Sequence, residues 1–275
     1  VQRWALLVSM IKGKHSWWTQ AFFYSYIAFI IRRDFSAFRI CEEPPALPPE
    51  RALLAVPNHI GWWDGFFIHT LNLALWRRRF YLMMLEEQLK RYRYFRRLGV
   101  YSIDPASPRT MRESMDYSLG LLSDPGNMVV IYPEGELRSQ FRPPSGLKRG
   151  AEWLARRAGA KAANNGTAEA AGRAVSTADG NGTANAAGRA ARSGGAAGQS
   201  SPPFTVLPVT FLVQPWDSRK PEIIARCGTP IASEELAAEP ALLETRMRDN
   251  WHMSIECAHS RSFYSSLFGK EAASS

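Results

Sequence analysis

The apolar residues of this chain fall into short runs that alternate with longer stretches of mixed polarity. Each run ends abruptly at polar residues, Gly or Pro, which is typical of a buried strand that leads into a loop. The alternation predicts an α/β fold, with a largely parallel mixed sheet flanked by helices. The pattern predicts strands near 52–57, 80–84, 100–103, 128–132, 204–213 and 222–227, and helices near 64–76, 87–97, 108–123 and 148–158.

Residues 1–34 stand outside this alternation, and residues 16–33 are their most apolar part. The apolar stretch is shorter than the roughly 20 residues that a bilayer crossing needs, and it lacks the small-residue cleavage site of a secretory signal. Aromatic residues at its beginning and Arg32 and Arg33 at its end suit a lipid headgroup region. We therefore predict an interfacial or re-entrant, membrane-associated helix. The alternative is a helix packed on the core of the domain.

A low-complexity segment, residues 159–203, interrupts the pattern and consists mainly of Ala, Gly, Asn, Ser, Thr and Arg. It contains a near-exact repeat, at 165–174 and again at 181–190. Such a composition buries too little apolar surface to offset the entropy lost on ordering. We predict a disordered insertion that interrupts a single domain of residues 35–262, followed by a C-terminal tail at 263–275 that frays or docks its aromatic residues.

The formal net charge of +9 indicates an anionic partner. Nucleic acid is not expected, because the chain has no zinc-finger spacing, basic zipper or RNA-binding aromatic motif. An anionic membrane surface or a phosphate-rich substrate fits the basic and aromatic run at 90–97 better. Cys41, Cys227 and Cys257 are odd in number and scattered. Their spacing argues against a disulfide framework and a zinc site, and it favours a reduced, cytoplasmic setting.

Candidate chemistry begins at residues 58–64, whose sequence is NHIGWWD. His59 follows the predicted strand at 52–57, and Asp64 lies five positions further on. A histidine whose ring is held by a carboxylate acts as a general base at neutral pH, because the carboxylate selects the tautomer and stabilises the imidazolium. A coincidental pair without a catalytic role is the alternative for these two residues alone.

A second apolar run, at 128–132, ends in a polar loop that carries Glu134, Gly135, Arg138 and Ser139. Sites in α/β sheets form where the carboxyl ends of strands meet. This loop and the loop that follows the first predicted strand are therefore expected to converge on one site. An ordinary strand exit with a solvated charge cluster is the alternative.

These motifs, in their order along the chain, resemble the conserved blocks of the glycerolipid acyltransferase superfamily. NHIGWWD is similar to the family's His-x4-Asp motif, and IYPEGELRS at 131–139 is similar to its Phe-Pro-Glu-Gly-Thr-Arg-Ser block. Residues 98–104 (LGVYSID) resemble the middle block, 146–151 (GLKRGA) the basic helix start, and 206–209 (VLPV) the late strand with a proline. The resemblance covers residues 35–215 apart from the insertion, and it implies a glycerol-phosphate acyltransferase-like fold.

The resemblance implies an O-acyltransferase that moves a fatty acyl group from an acyl-CoA or acyl-carrier-protein thioester to a lipid hydroxyl. His59 is then the general base and Asp64 orients it, with no acyl-enzyme, metal ion or prosthetic group. The expected acceptor is a lysophospholipid such as 1-acylglycerol 3-phosphate, in phospholipid biosynthesis. The expected partners are membrane lipids and the acyl donor. The expected location is the cytoplasmic face of the cell membrane, as a peripheral or monotopic protein.

The family's blocks imply substrate-binding roles for the residues that match them, and basic residues near these blocks are expected to bind substrate as well. Arg138 is the first choice for an anionic acceptor group, because a guanidinium binds phosphate through two parallel hydrogen bonds. The expected substrate-binding residues are Glu134, Gly135, Arg138, Ser139, Arg109 and Lys148.

Two departures from the family pattern concern the acceptor. Pro105 replaces the arginine that follows Ile-Asp in the family, and Glu136-Leu137 stands where the family has one threonine. They favour, as an alternative, the same chemistry on a non-glycerophosphate lipid such as a glycosylated isoprenoid or an aminolipid. A non-catalytic membrane-binding module and a thioesterase that uses water as its acceptor are further alternatives.

Overall fold

A mixed β-sheet forms the centre of the structure, a computed structural model that describes residues 9–160, 203–216 and 218–269. Eight of its strands follow the spatial order β4-β3-β5-β2-β6-β7-β1-β9, and the short β8 pairs with β6. The strands are β1 (Ala37–Ile40), β2 (Leu53–Pro57), β3 (Arg79–Leu85), β4 (Val100–Ile103), β5 (Asn127–Val130), β6 (Thr205–Gln214), β7 (Glu222–Cys227), β8 (Ile231–Ala232) and β9 (Ser265–Phe268).

The sheet is parallel over the part that matters for the candidate site. Strand β2 pairs in parallel with β5 on one side and with β6 on the other, and β3 pairs in parallel with β4 and β5. Antiparallel pairing is confined to β6 with β7 and β8, and to β1 with β9. The loops that follow β2 and β5 therefore leave the sheet at the same edge. The predicted α/β architecture with a largely parallel mixed sheet is confirmed.

Helices cover both faces of the sheet. Leu53 and Ala55 of β2 pack in one apolar cluster with the first three helices, and Leu54 and Val56 pack in a second cluster with the last four. Alternate residues of a strand face opposite layers, so β2 is buried on both sides. The helices are α1 (Trp17–Asp34), α2 (Asp64–Leu75), α3 (Glu86–Arg91), α4 (Pro108–Leu121), α5 (residues 150–160), α6 (Ser233–Ala238) and α7 (Leu242–Ser260), with a 3-10 helix at Arg93–Arg97.

Helix α4 begins at a well-defined residue because its first turn is capped. The Ser107 hydroxyl accepts a hydrogen bond from the backbone N–H of Thr110 at 3.4 Å, and Pro108 occupies the first helical turn. A serine cap followed by proline is a strong helix start, since proline has no N–H to leave unpaired there.

Helix α1 packs on the domain through some of its residues and exposes several of its aromatic side chains. Ile27, Ile30 and Ile31 in its second half are buried against the domain. Trp17 and Trp18 at its beginning are 65% and 69% exposed, and other aromatic residues along the helix are exposed as well. In the part of the chain that the structure describes, no helix is both long and apolar enough to cross a membrane.

Several elements differ from the sequence prediction. Strands β1, β8 and β9 and helices α6 and α7 were not predicted, and the predicted basic helix at 87–97 is divided at Tyr92 into α3 and the 3-10 helix. The predicted tail at 263–275 contributes β9, which pairs with β1 at the edge of the sheet. Residues 161–202 of the predicted insertion lie outside the described residues, so the prediction of disorder there stays a prediction.

The expectation that the cysteines form no disulfide is wrong for two of them. Cys41 directly follows β1, and Cys257 lies near the end of α7. A disulfide joins them, with their Cα atoms 5.9 Å apart. Cys227 in β7 is a free, buried thiol, and burial raises its pKa to about 12. The pairing depends on a sequence separation of 216 residues, which only the fold closes.

Candidate active site

His59 is held just beyond the carboxyl end of β2 by the buried side chain of Asn58. The Asn58 amide donates to the backbone oxygen of Phe211 at 3.0 Å and accepts from the Phe211 N–H at 2.8 Å. The backbone N–H of Asn58 also donates to the oxygen of Val209 at 3.2 Å. These bonds continue the pairing of β2 with β6 by one residue. The direction of the chain at His59 is therefore fixed by the sheet.

His59 and Asp64 form a hydrogen-bonded pair, with Nδ1 2.8 Å from Oδ2. Asp64 is the first residue of α2 and is only 1% exposed. The same Oδ2 accepts from the backbone N–H groups of Ile60 at 2.7 Å and Gly61 at 2.9 Å. These hydrogen bonds fix the loop between His59 and Asp64 against the Asp64 carboxylate. Because Asp64 accepts from Nδ1, the lone pair of the neutral imidazole lies on Nε2.

The loop after β5 packs directly against the His59 loop, as the two motifs predicted. Glu134 Oε2 accepts from the backbone N–H of His59 at 3.1 Å, and the N–H of Arg138 donates to the His59 oxygen at 2.7 Å. The ring of Tyr132 stacks on the imidazole, with the ring centroids 4.2 Å apart. One loop thus holds both the backbone and one ring face of the histidine.

Glu134 is a buried carboxyl, 3% exposed, whose contacts are mainly structural. Burial raises its pKa above the ordinary value, and the His59 N–H and the Arg138 charge act in the opposite direction. Its Oε1 lies 3.9 Å from Arg138 Nε. Burial also raises the pKa of Tyr132 well above the ordinary value, and the Asp64 charge adds to this effect, so the phenol stays protonated. Both groups brace the histidine.

A cavity of about 1110 Å³ begins at His59 and Tyr132. Its volume slightly exceeds the range of about 300–1,000 Å³ that is usual for ligand pockets. A cavity of this volume with a mostly apolar wall can hold a long apolar chain. The wall is mostly apolar, and it comes from α2, β3, β4, the 3-10 helix and α4, with Phe66, Phe80, Leu82, Met84, Phe95, Leu98, Val100, Met111 and Met115 among its residues.

Three basic residues line the same cavity: Arg112 from α4, and Lys148 and Arg149 just before α5. Lys148 is positioned by its backbone N–H, which donates to the oxygen of Pro133 at 2.7 Å. Gly135 has φ +69°, a region that favours glycine, and a Cβ there would lie 3.2 Å from Lys148 Cγ. Glycine at this position therefore permits the lysine stem to pack against the loop that holds the histidine.

Three of the predicted binding residues are engaged elsewhere. Arg138 Nη2 donates to Glu136 at 2.8 Å, and Arg109 Nε donates to Glu113 at 3.2 Å. The exposed Ser139 accepts the N–H of residue 141 at 3.3 Å, which closes a turn. None of these three lines the cavity as the described residues define it. The predicted residues that the structure brings together are His59, Asp64, Glu134, Gly135, Lys148 and, through its contacts with His59 and Glu134, Arg138.

Four residues of this region were missed by the sequence reasoning: Arg112, Arg149, Tyr132 and the buried His69 of α2. Arg149 and Tyr132 lie inside motifs that had been recognised, so their position was a usable signal. No sequence signal distinguishes Arg112 from the other basic residue of the same turn, because the choice depends on how α4 is rotated. His69 lies outside the recognised motifs, so no sequence signal marks it.

The arrangement supplies a base beside an apolar cavity. His59 lines the cavity, and a hydroxyl placed against Nε2 would lose its proton as it attacks an acyl carbon. Within the described residues, no group of three or more His, Cys, Asp or Glu side chains is placed to hold a metal ion. A histidine held by a carboxylate as His59 is held by Asp64 can act as a general base.

Comparisons with known proteins bear on this geometry. A family model described as Acyltransferase matches residues 39–167, which include both loops of the site. No curated protein matches the chain in sequence. The crystal structure of the 1-acyl-sn-glycerophosphate (LPA) acyltransferase PlsC from Thermotoga maritima has a similar fold, with a TM-score of 0.51, 15% identity, and coverage of 85% of this chain and 77% of that chain. The family model covers just under half of the chain, and together with the motifs inside it supports an acyltransferase enzyme of the glycerolipid acyltransferase superfamily.

Proposed function

We propose that this acyltransferase moves a fatty acyl group from an acyl-CoA or acyl-carrier-protein thioester to the free hydroxyl of a lysophospholipid. The representative acceptor is 1-acylglycerol 3-phosphate. The observation that carries the proposal is that His59, held by Asp64, lines an apolar cavity that also carries three basic side chains. The apolar wall suits the acyl chain, and the basic groups suit the phosphate of the acceptor.

In the proposed reaction, Nε2 of His59 takes the proton of the acceptor hydroxyl while the hydroxyl oxygen bonds to the thioester carbon. The carbon–sulfur bond then breaks, and the leaving thiolate takes the proton from His59, so the base is restored. Asp64, 2.8 Å from Nδ1, stabilises the imidazolium between these two proton transfers. The acyl group passes directly to the acceptor, without an acyl-enzyme.

We assign the phosphate of the acceptor to Arg112, Lys148 and Arg149. All three line the cavity, and charge-assisted hydrogen bonds to phosphate are among the strongest that side chains make. Arg138 is less suited to this role, because Glu136 already accepts its hydrogen bond. Pro105, which stands where the family carries an arginine, also lines the cavity, and we assign the role of that arginine to Arg112 of α4.

A second candidate keeps the chemistry and changes the acceptor to a lipid without a glycerol phosphate. Two observations favour it: Pro105 stands at the cavity wall, and Arg138 is paired within its own loop.

The experiment that separates the two candidates gives the purified protein one acyl thioester and, in separate reactions, two acceptors that differ only in whether they carry the phosphate. The products are identified by mass spectrometry. Acylation that requires the phosphate supports the lysophospholipid acceptor, and equal acylation of both supports the second candidate. Acyl release without an acceptor would contradict both.

We further propose that α1 and the 3-10 helix form one lipid-binding surface through which the protein contacts a membrane. Phe23 of α1 stacks on Tyr94 with the ring centroids 5.4 Å apart, so the exposed aromatic residues of α1 lie beside a basic segment. Such a surface combines interfacial aromatic contacts with attraction to anionic lipid. Replacing both Trp17 and Trp18 by Ala should weaken flotation with anionic vesicles. Unchanged flotation of the folded variant would contradict this surface.

A further inference from the structure

A histidine lies inside the apolar part of the cavity, away from the catalytic pair. His69 is on α2, is 4% exposed, and lines the cavity wall. It follows Asp64 by five residues, which is about 7.5 Å along an α-helix. A group that meets His69 from the cavity therefore lies several bonds away from the atoms that react at His59.

The surroundings of His69 leave its polar atoms without a partner. Its ring contacts Tyr24, with centroids 4.7 Å apart, and the edge of Phe80, with centroids 5.1 Å apart. Among the described residues it makes no hydrogen bond, and Nδ1 is enclosed by protein. Ile27, Phe66 and other apolar residues form the wall around it.

A buried imidazole in this setting is a recognition group for a neutral ligand. Burial lowers the pKa of His69 to about 4, so the ring is neutral at physiological pH. A neutral imidazole carries one N–H donor and one acceptor nitrogen. Among the described residues Nε2 also makes no hydrogen bond, but unlike Nδ1 it is not enclosed by protein, so a polar group of the substrate can pair with it. With Nδ1 enclosed, Nε2 is the nitrogen that meets the ligand.

We propose that His69 binds an oxygen substituent, a hydroxyl or keto group, carried part-way along the acyl chain of the donor. His69 thereby makes the enzyme selective for oxygenated over unsubstituted acyl chains. This inference rests on the proposed function, in which the cavity holds the acyl chain. The substituent lies several carbons from the thioester rather than at the methyl end, because His69 is close to Asp64 along α2. An unsubstituted chain leaves the imidazole unpaired, and a site built around a hydrogen bond rejects an analogue that cannot make it.

The test compares acyl thioesters of equal length, unsubstituted or hydroxylated at successive carbons, with the intact protein and one acceptor. We expect kcat/KM to be at least about tenfold higher for one position of the hydroxyl than for the unsubstituted chain. In His69→Leu that ratio should fall to about one, and in His69→Gln, which keeps a donor and an acceptor, part of it should remain. Phe66→Leu alters the same wall without changing polarity, so it should keep the ratio.

The outcomes separate this inference from the proposed function. Transfer of all chains at equal kcat/KM by the wild-type protein would overturn the role of His69 and leave the acyltransferase assignment intact. A preference that survives unchanged in both His69 variants would also overturn it. Failure to transfer any chain to any acceptor would overturn the proposed function and the inference with it. Thermal unfolding of each variant shows whether it is folded during the assay.

Discussion

Replacing Asp64 by Asn removes one charge from the site while keeping its shape. The amide oxygen can take the place of Oδ2, which accepts from the N–H groups of Ile60 and Gly61 at 2.7 and 2.9 Å. The loop that carries His59 should therefore stay closed. The amide NH₂ would replace Oδ1, a buried atom without a partner among the described residues. Burying an unpaired amide costs about 1–3 kcal/mol, so a lower Tm with a retained fold is expected.

The effect on catalysis follows from the charge. The carboxylate and the imidazolium have charge centres about 4 Å apart, and such a pair contributes about 4 kcal/mol at an effective dielectric constant near 20. Loss of the full ~4 kcal/mol would slow the reaction about 10³-fold. The expected effect is somewhat smaller, because the proton is only partly transferred to the imidazole in the transition state. We expect kcat of Asp64→Asn to fall about 10²- to 10³-fold, with KM changed less than about threefold, because a general base gains its positive charge only as the proton is transferred.

The assay is steady-state release of free thiol from the acyl thioester at saturating acceptor. Asp116→Asn is a matched control, because it makes the same chemical change at an exposed position of α4 and should retain wild-type kcat. A folded Asp64→Asn enzyme with more than about a third of the wild-type kcat would refute the reasoning. So would a loss confined to KM, since it would place Asp64 in substrate binding rather than in stabilising the imidazolium.

Three further predictions follow from the site and the disulfide. Arg112→Gln should raise KM for a phosphate-bearing acceptor about 10- to 100-fold, the value of one charged hydrogen bond, while Arg109→Gln, outside the cavity, should change it little; equal effects would contradict the assignment. Burial raises the pKa of Glu134 above its value in the unfolded chain, so folding takes up a proton. The contribution of this carboxyl group to the free energy of unfolding is fully present below about pH 4.5, and it declines as the pH rises through the pKa of the folded state. Glu134→Gln keeps an acceptor for the histidine N–H and should be more stable relative to wild type at pH 7 than at pH 4 in urea unfolding; a difference independent of pH would contradict this. Reduction of the Cys41–Cys257 disulfide, which spans 216 residues, should lower the free energy of unfolding by about 5 kcal/mol in the chain-entropy model; identical urea midpoints with and without reductant would contradict it.

The parts of the fold that could be predicted are those whose signal is local. Strands β2 and β5 are short apolar runs that end in polar loops. The apolar run and the polar, Gly or Pro residues that follow it are enough to locate each strand. The pairing of His59 with Asp64 is also local, because both residues belong to one loop and the helix that follows it. The meeting of this loop with Glu134 followed from the parallel arrangement of their strands.

The parts that could not be predicted depend on contacts between distant residues. Strand β1 contains Arg39, which breaks its apolar run, and the arginine is accommodated by Glu222 on the adjacent strand β7, with Nε 3.0 Å from Oε2. The Cys41–Cys257 disulfide likewise joins residues that only the sheet and α7 bring together. The assignment of Arg112 to the cavity depends on the rotation of α4 about its axis, which the sequence does not reveal.

The most direct test of the central claim is transfer of an isotope-labelled acyl group from a thioester to 1-acylglycerol 3-phosphate, followed by mass spectrometry with the purified protein. The wild-type protein should form the diacyl product, and His59→Ala should lower its rate about 10²- to 10⁴-fold, the value of general base catalysis. His252→Ala, at an exposed histidine of α7, is the matched control and should retain wild-type activity. Product formation by a folded His59→Ala protein at a rate near that of the wild type would contradict the account.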